Sequence, residues 1–178
     1  MIRIIPLDES VEPYRAPDLG WDGLVGDLIL NRFDHPSAPG DLRSEQGLAT
    51  QVLIHLMTDR RVEESELREG EDNRGWLGDS FDQMDGEGPL GSRLWLLMRQ
   101  AIYEGIEIDV EDYVREALEP LIDQGAVASV GVAVSADRAQ SRVDYTVTLA
   151  GRDGARVYEQ KFELLWRQIN GVVHPLAG

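Results

Sequence analysis

Residues 127–166, VASVGVAVSADRAQSRVDYTVTLAGRDGARVYEQKFELLW, decide the fold. Val130, Val132 and Val134 alternate with Gly131, Ala133 and Ser135, and Val143, Tyr145, Val147 and Leu149 alternate with Arg142, Asp144, Thr146 and Thr148. Tyr158, Phe162, Leu164 and Trp166 share a face opposite Glu159, Lys161 and Glu163. A period of two belongs to strands covered on one side. The turns at Asp137-Arg138 and Arg152-Asp153-Gly154 are short, so strands over 127–136, 142–149 and 157–167 form an antiparallel meander. Asn170-Gly171 is placed to fold a further short strand, Val172-Val173, back onto it.

The cover for this sheet precedes it. Ser44 can cap a helix running to about Asp59, with Leu48, Val52 and Leu56 at helical spacing and Ala49 and Leu53 widening the stripe. Ser92 can cap a second, whose apolar residues Leu94, Trp95, Leu97, Met98, Ala101 and Ile102 carry it to Gly105. Asp109 opens a third, facing inward with Val110, Tyr113, Val114, Ala117, Leu118, Leu121 and Ile122, with Glu111 and Asp112 early, where the helix dipole favours acids. Pro120 inside that pattern removes a backbone donor and predicts a kink or break, and Gly125 ends the element. Upstream, IRII reads as a strand, and DLGWDGLVGDLIL (18–30) reads as a hairpin about a Gly23 to Gly26 turn. Pro36, Pro39 and Gly40 then break the chain. The class is α+β: two to three helices packed on a C-terminal antiparallel β-meander, with an N-terminal hairpin and a long acidic loop. The expected organisation is an N-terminal strand and hairpin region, 1–43, followed by an α+β core, 44–178, that carries the acidic loop at 62–91. The two make one domain overall, in keeping with 178 residues.

Charge is distributed unevenly. The chain has 33 acids against 17 bases, a net of −16, and only one base is a lysine, Lys161. A protein that grips phosphates needs a basic face, so nucleic acid is not an expected partner, and an anionic membrane surface is disfavoured for the same reason. No apolar run approaches the ~20 residues that cross a bilayer, and MIRIIPLDES lacks the basic-then-apolar pattern of a secretion signal. Residues 62–88 hold ten acids, two arginines and five glycines with no sustained period, which reads as a long interaction loop. Mutual repulsion and few apolar residues predict that much of it is mobile, with Trp76 and Leu77 its anchored part. From Gly125 onward the net charge is +1.

The chemistry a site would need is thin. With no cysteine there is no disulfide, thiolate metal site or cysteine nucleophile. His35, His55 and His174 lie far apart without a paired-ligand spacing, and His55 reads as a half-buried helix residue. No G-x-S-x-G elbow, phosphate loop, dinucleotide fingerprint or EF-hand loop occurs. Carboxylate pairs exist by number alone, and Asp144 and Glu163 fall on the polar, solvated side of their strands. No catalytic, metal or cofactor residue is expected. The reading by elimination is an acidic, non-enzymatic interaction protein.

Three blocks then carry a resemblance: the hairpin 18–30; LIHLMTDRR (53–61) followed after the acidic spacer by RGWLGD (74–79); and GSRLWLLMRQ (91–100) followed by YVREALEPLIDQGAVASV (113–130) and the meander. In this order, from about Asp18 to Leu149, the chain resembles the Mu-type phage tail protein family, a baseplate component of contractile-tailed phages. More distantly it is similar to the sheath-initiator family of baseplate wedge proteins shared with type VI secretion. Members of that family carry a Glu-Pro-Arg motif; here Glu119-Pro120 is followed by Leu121.

The resemblance implies a structural protein, without cofactor, that joins the baseplate wedge to the first ring of tail sheath. Its implied partners are other baseplate proteins and the sheath, and its implied location is the host cytoplasm during assembly and then the virion tail baseplate. Other classes to weigh are a lysozyme-like peptidoglycan hydrolase carried on the tail and an assembly factor absent from the finished particle. Partner-binding candidates are Thr58, Asp59, Arg60 and Arg61; Arg74, Gly75, Trp76, Leu77, Gly78 and Asp79; Gly91, Ser92 and Arg93; and Glu119 and Pro120. Trp95 reads as core. Arg60, Arg61, Arg74 and Arg93 can pair either with acids of the adjacent loop, tethering it, or with acids on a neighbouring protein.

Overall fold

Strand β4 (Arg142–Ala150) lies at the centre of a three-stranded antiparallel sheet, between β3 (Ser129–Asp137) and β5 (Arg156–Leu165). The structure, a computed structural model, describes residues 17–21, 26–44, 46–81 and 88–165, with the backbone path alone for 163–165. The expected strand at 2–5, most of the first hairpin's turn, Trp166, the 170–173 extension and His174 lie outside the described residues. The meander register puts Val130 opposite Leu149, Val134 opposite Tyr145, and Tyr145 opposite Phe162. The Tyr145 and Phe162 rings stack with centroids 5.1 Å apart. Strand 142–149 is therefore interior, because both of its neighbours in sequence fold back onto it.

Helix α3 (Ile106–Asp123) lies on one face of this sheet, burying Val110, Val114, Ala117, Leu118 and Leu121 against Val143, Tyr145, Val147 and Leu149. Each fully buried aliphatic side chain contributes roughly 1.5–3 kcal/mol relative to exposure. The helix begins three residues before Asp109, with Gly105 at its N-cap. Pro120 does not break it. The proline lies within a turn of the end, so one missing backbone bond is outweighed by the burial of Leu118 and Leu121 on the sheet. Past the helix, the Ala126 N–H bonds the Leu121 carbonyl, and Gly125 takes the left-handed turn expected of it.

Helix α1 (Gly47–Met57) adds Val52, Leu53 and Leu56 to the same core. Ser44 does not cap it. The N-cap position is Gln46, whose backbone N–H donates to Asp18 Oδ1 at 2.6 Å, so the capping carboxylate comes from the N-terminal hairpin. That hairpin, β1 (Leu19–Trp21) with β2 (Gly26–Leu28), forms as expected and is further tied down by the Leu19 N–H donating to Thr50 Oγ1 at 2.9 Å.

Helix α2 is a single turn, Leu94–Leu97, instead of running to Gly105. Arg99 folds back so that its Nε donates to the Leu96 carbonyl, the acceptor that the Gln100 N–H would use in a continuing helix, and the Gln100 N–H goes instead to the Leu97 carbonyl. Ser92 does not cap α2 either; its hydroxyl donates to the Leu56 carbonyl at 2.9 Å. A satellite core of Val62, Trp95 and Leu96, with Leu67 and Tyr113 against it, lies beneath the acidic segment.

Candidate functional site

The three sequence blocks meet at one place. Thr58 ends α1 in extended conformation, and its carbonyl accepts the Ser92 N–H at 2.8 Å, while the Arg60 N–H donates to the Ser92 carbonyl at 2.9 Å. Two segments more than thirty residues apart in sequence thus run side by side as a one-rung parallel bridge, Asp59 with Ser92. Their close approach leaves no room for a side chain at Gly91, whose φ is +111°. The indole of Trp95, 3 % exposed, donates from Nε1 to the Arg60 carbonyl at 3.0 Å. Trp95 is core, as its apolar context predicted.

Around this bridge the arginines clasp the acidic segment. Arg93 pairs with Glu116 of α3 (2.7 Å) and Glu66 of the loop (3.0 Å), and its guanidinium stands 4.3 Å from the Tyr113 ring centroid. Burial opposes the Arg93 charge, but Glu116 and Glu66 outweigh it and raise its pKa above the ordinary value. Arg99 holds Glu71 and reaches the Glu66 carbonyl; the Arg68 backbone N–H is the largest influence keeping the Glu71 carboxyl below its ordinary pKa, with Arg99 adding to it. Arg74 pairs with Asp59 at 2.8 Å, and Arg74 and Arg99 both lie against the Trp95 ring, at 4.9 and 5.3 Å. The Asn73 side chain closes the loop by bonding both the N–H and the carbonyl of Val62, as a paired strand would. Part-exposed ion pairs contribute only about 0–1 kcal/mol each, so the clasp works as a network over a small apolar core.

Of the two roles open to the arginines, Arg93 takes the tether to the loop. Arg60 pairs instead with Glu116 at 3.0 Å, and Arg74, itself in the loop, pairs with Asp59 of the bridge and tethers the loop from its own side. Arg61 is exposed, and its Cβ packs under Gly75, where φ is +134°. Asp79 accepts the Leu90 N–H at 3.2 Å, and Gly78 lies beneath the Trp76 indole. Trp76 and Leu77, expected to be the anchored part, are instead 49 % and 70 % exposed. The anchors are Val62, Leu67, Asn73 and the ion pairs, which leave the tip outward. Glu66, Glu71 and Glu116 were not foreseen, because nothing local separates them from the other acids.

Glu119 and Pro120 reach the site from α3. With His55, Arg60, Gly88, Pro89, Glu116 and Asp123 they line a cleft of about 200 Å³ between α1, α3 and the Gly91 turn. Burial holds the His55 pKa below 6.5, against a smaller opposing effect of a backbone hydrogen bond with Ala117. The folded chain therefore protonates this imidazole at a lower pH than the unfolded chain, which takes up its proton as pH falls through 6.5, so the His55 contribution is present above that pH and declines below it. Thermal unfolding should show a smaller drop in midpoint between pH 7.5 and 5.5 for His55→Gln than for the parent. An equal drop in both would count against it.

Asp144 lies on the polar face of β4, where it was expected, but is mostly covered and held by Arg142 (2.9 Å) and Lys161 (2.7 Å). Among the described residues, no group of three or more His, Asp or Glu is placed to hold a metal ion, and no helix is long and apolar enough to cross a membrane.

These features define an acidic α+β protein whose charged and aromatic side chains fold a loop onto its own core and leave an apolar tip outside. The family model for phage protein GP46 matches residues 48–156, and the chain belongs to that family. It is 40 % identical over 114 residues to "Baseplate protein gp46" of Escherichia phage Mu, covering 63 % of this chain and 71 % of that protein. It is 37 % identical over 117 residues to "Mu-like prophage FluMu protein gp46" of Haemophilus influenzae, covering 66 % and 73 %. The matched region runs from the start of α1 to the start of β5, so it takes in the whole clasp and leaves out the N-terminal hairpin.

Proposed function

We propose that this protein is a structural component of a phage tail baseplate that links the baseplate wedge to the tail sheath. It is assembled in the host cytoplasm, carried in the virion tail, and works by binding to other tail proteins, without catalysis. The observation that carries this reading is the 40 % identity over 114 residues to a protein named for the baseplate of phage Mu, beside a family match at 48–156 that includes every residue of the clasp. The candidates Thr58 to Arg61, Arg74 to Asp79, Gly91 to Arg93 and Glu119-Pro120 then serve the partner surface in two ways. The bridge and arginines shape it, and the tip and the cleft present it.

The second contact is the sheet edge. Among the described residues β5 pairs only with β4, whereas the opposite edge strand, β3, has its Val130 carbonyl taken by Arg115 at 2.7 Å. An open edge of mixed charge can accept a partner strand through backbone hydrogen bonds of about 0.5–1.5 kcal/mol net each. In an antiparallel edge strand, consecutive N–H groups alternate between the neighbour and the outside. Of Gln160→Pro and Lys161→Pro, one should therefore lower the unfolding midpoint markedly. The other should leave stability nearly unchanged but stop sheath assembly on purified baseplates. Normal sheath assembly with both prolines would remove β5 from the sheath contact, and absence of the parent protein from purified tails would overturn the baseplate reading itself.

A further inference from the structure

We propose that the turn Trp76–Phe81 is a preformed docking knob for a partner protein whose surface offers an apolar pocket ringed by lysine or arginine. Three large apolar side chains within six residues stand outside the core: Trp76 at 49 %, Leu77 at 70 % and Phe81 at 79 % exposure. A tip of this kind in a free chain would ordinarily cost much of its binding energy in ordering. Here the ordering is already built in. The Leu77–Ser80 turn is 3₁₀, the Trp76 ring lies over Gly78, and Asp79 accepts the Leu90 N–H. Gly75 packs on Arg61 in a backbone conformation suited to glycine, and Arg74 is fixed between Asp59 and the Trp95 ring. These contacts use one face of the Trp76 ring and leave its other face, Leu77 and Phe81 outside, which is the pattern of a presented element rather than a packed one.

Charge selects the partner. Segment 62–81 has seven acids and two arginines; Glu66 and Glu71 are engaged by Arg93 and Arg99, while Glu63, Glu64, Glu69 and Asp72 are exposed. A knob set in this field favours a basic rim and repels an anionic lipid surface. A second copy of the chain is disfavoured as occupant because each copy carries −16. The proposal rests on the baseplate reading only in expecting the partner among the tail proteins.

The test is a photo-reactive amino acid at position 77 of the full chain, irradiated in cells in which the phage is assembling. The expected product is a crosslink to a different tail protein at a peptide where apolar residues are flanked by lysine or arginine. That partner, once purified, should bind the parent protein in a salt-sensitive manner. It should bind Trp76→Ala about thirtyfold more weakly, and Leu77→Ser and Phe81→Ser more weakly too, with no shift in their unfolding midpoints. Asp72→Lys should weaken binding and flatten its salt dependence. Crosslinks to a second copy, to lipid or to nothing, or parent-like binding by Leu77→Ser and Phe81→Ser, would overturn the knob. Detection of the chain in purified tails tests the baseplate reading separately, since the crosslink is read in the cell whether or not the chain stays in the particle.

Discussion

Replacing Gly91 with alanine is expected to destabilise the protein by about 3 kcal/mol or more, among the largest effects of any single methyl group added to it. At φ +111° a residue with a Cβ is strained by about 1–3 kcal/mol. The new Cβ would fall inside van der Waals contact of the Thr58 carbonyl oxygen, 2.9 Å from its carbon and 3.0 Å from the Arg60 nitrogen. These are backbone atoms, so the bridge must open to make room. Opening it gives up the Ser92 to Thr58 and Arg60 to Ser92 hydrogen bonds, each worth about 1 kcal/mol. For a chain of this size the unfolding midpoint should fall by about 10 °C. Hydrogen exchange should accelerate first at Arg60 and Ser92. A change of under about 2 °C would mean that the bridge contributes little to folding.

Loss of the Asp18 carboxylate should have an effect of similar size by a different route. Asp18 is fully buried; one oxygen accepts Arg43 Nε at 2.6 Å and the other accepts the Gln46 N–H at 2.6 Å. Asp18→Ala would strand the Gln46 N–H at the start of α1 and leave Arg43 without its buried partner. Removing one member of a buried pair costs about 3–5 kcal/mol, and because Arg43 is partly exposed and can rehydrate, the lower end, about 3 kcal/mol, is expected. Asp18→Asn keeps one acceptor oxygen for the Gln46 N–H but turns an amide NH2, a donor, toward the Arg43 Nε–H, so it should recover the helix-start bond alone and lose less than Asp18→Ala. Equal losses for the two variants would show that the Arg43 ion pair, and not the Gln46 hydrogen bond, holds the hairpin to α1.

The two predictions lie on opposite sides of the boundary between what residue order reveals and what it does not. Gly91 belongs to the string Gly91-Ser92-Arg93-Leu94-Trp95, which already stood out as a motif, although the reason for the glycine did not. Asp18 had no distinguishing feature among 33 acids. Its role depends on Gln46, 28 residues away, arriving beside it. The same division applies to the candidate site. Thr58 to Arg61, Arg74 to Asp79 and Gly91 to Arg93 were legible as strings, and the fold brings them together at one bridge. Their partners Glu66, Glu71, Glu116 and Asn73 were hidden among equivalents.

Residue order was enough for the meander, its register faces, the long amphipathic α3, the hairpin and the α+β class. Each of these follows from alternation or turn length within about ten neighbouring residues, where local sterics and burial of one face act together. Three features appeared with the folded chain alone: β4 is central, α2 stops after one turn with Arg99 on its Leu96 carbonyl, and Asp18 rather than Ser44 serves the start of α1. The tertiary structure also decided that the acidic segment is held through Val62, Glu66, Leu67, Glu71 and Asn73 while Trp76, Leu77 and Phe81 face out. The reason is the same in each case. Which donor meets which acceptor, and which apolar side chain finds cover, depends on distances between segments far apart in the chain, and residue types alone do not encode those distances.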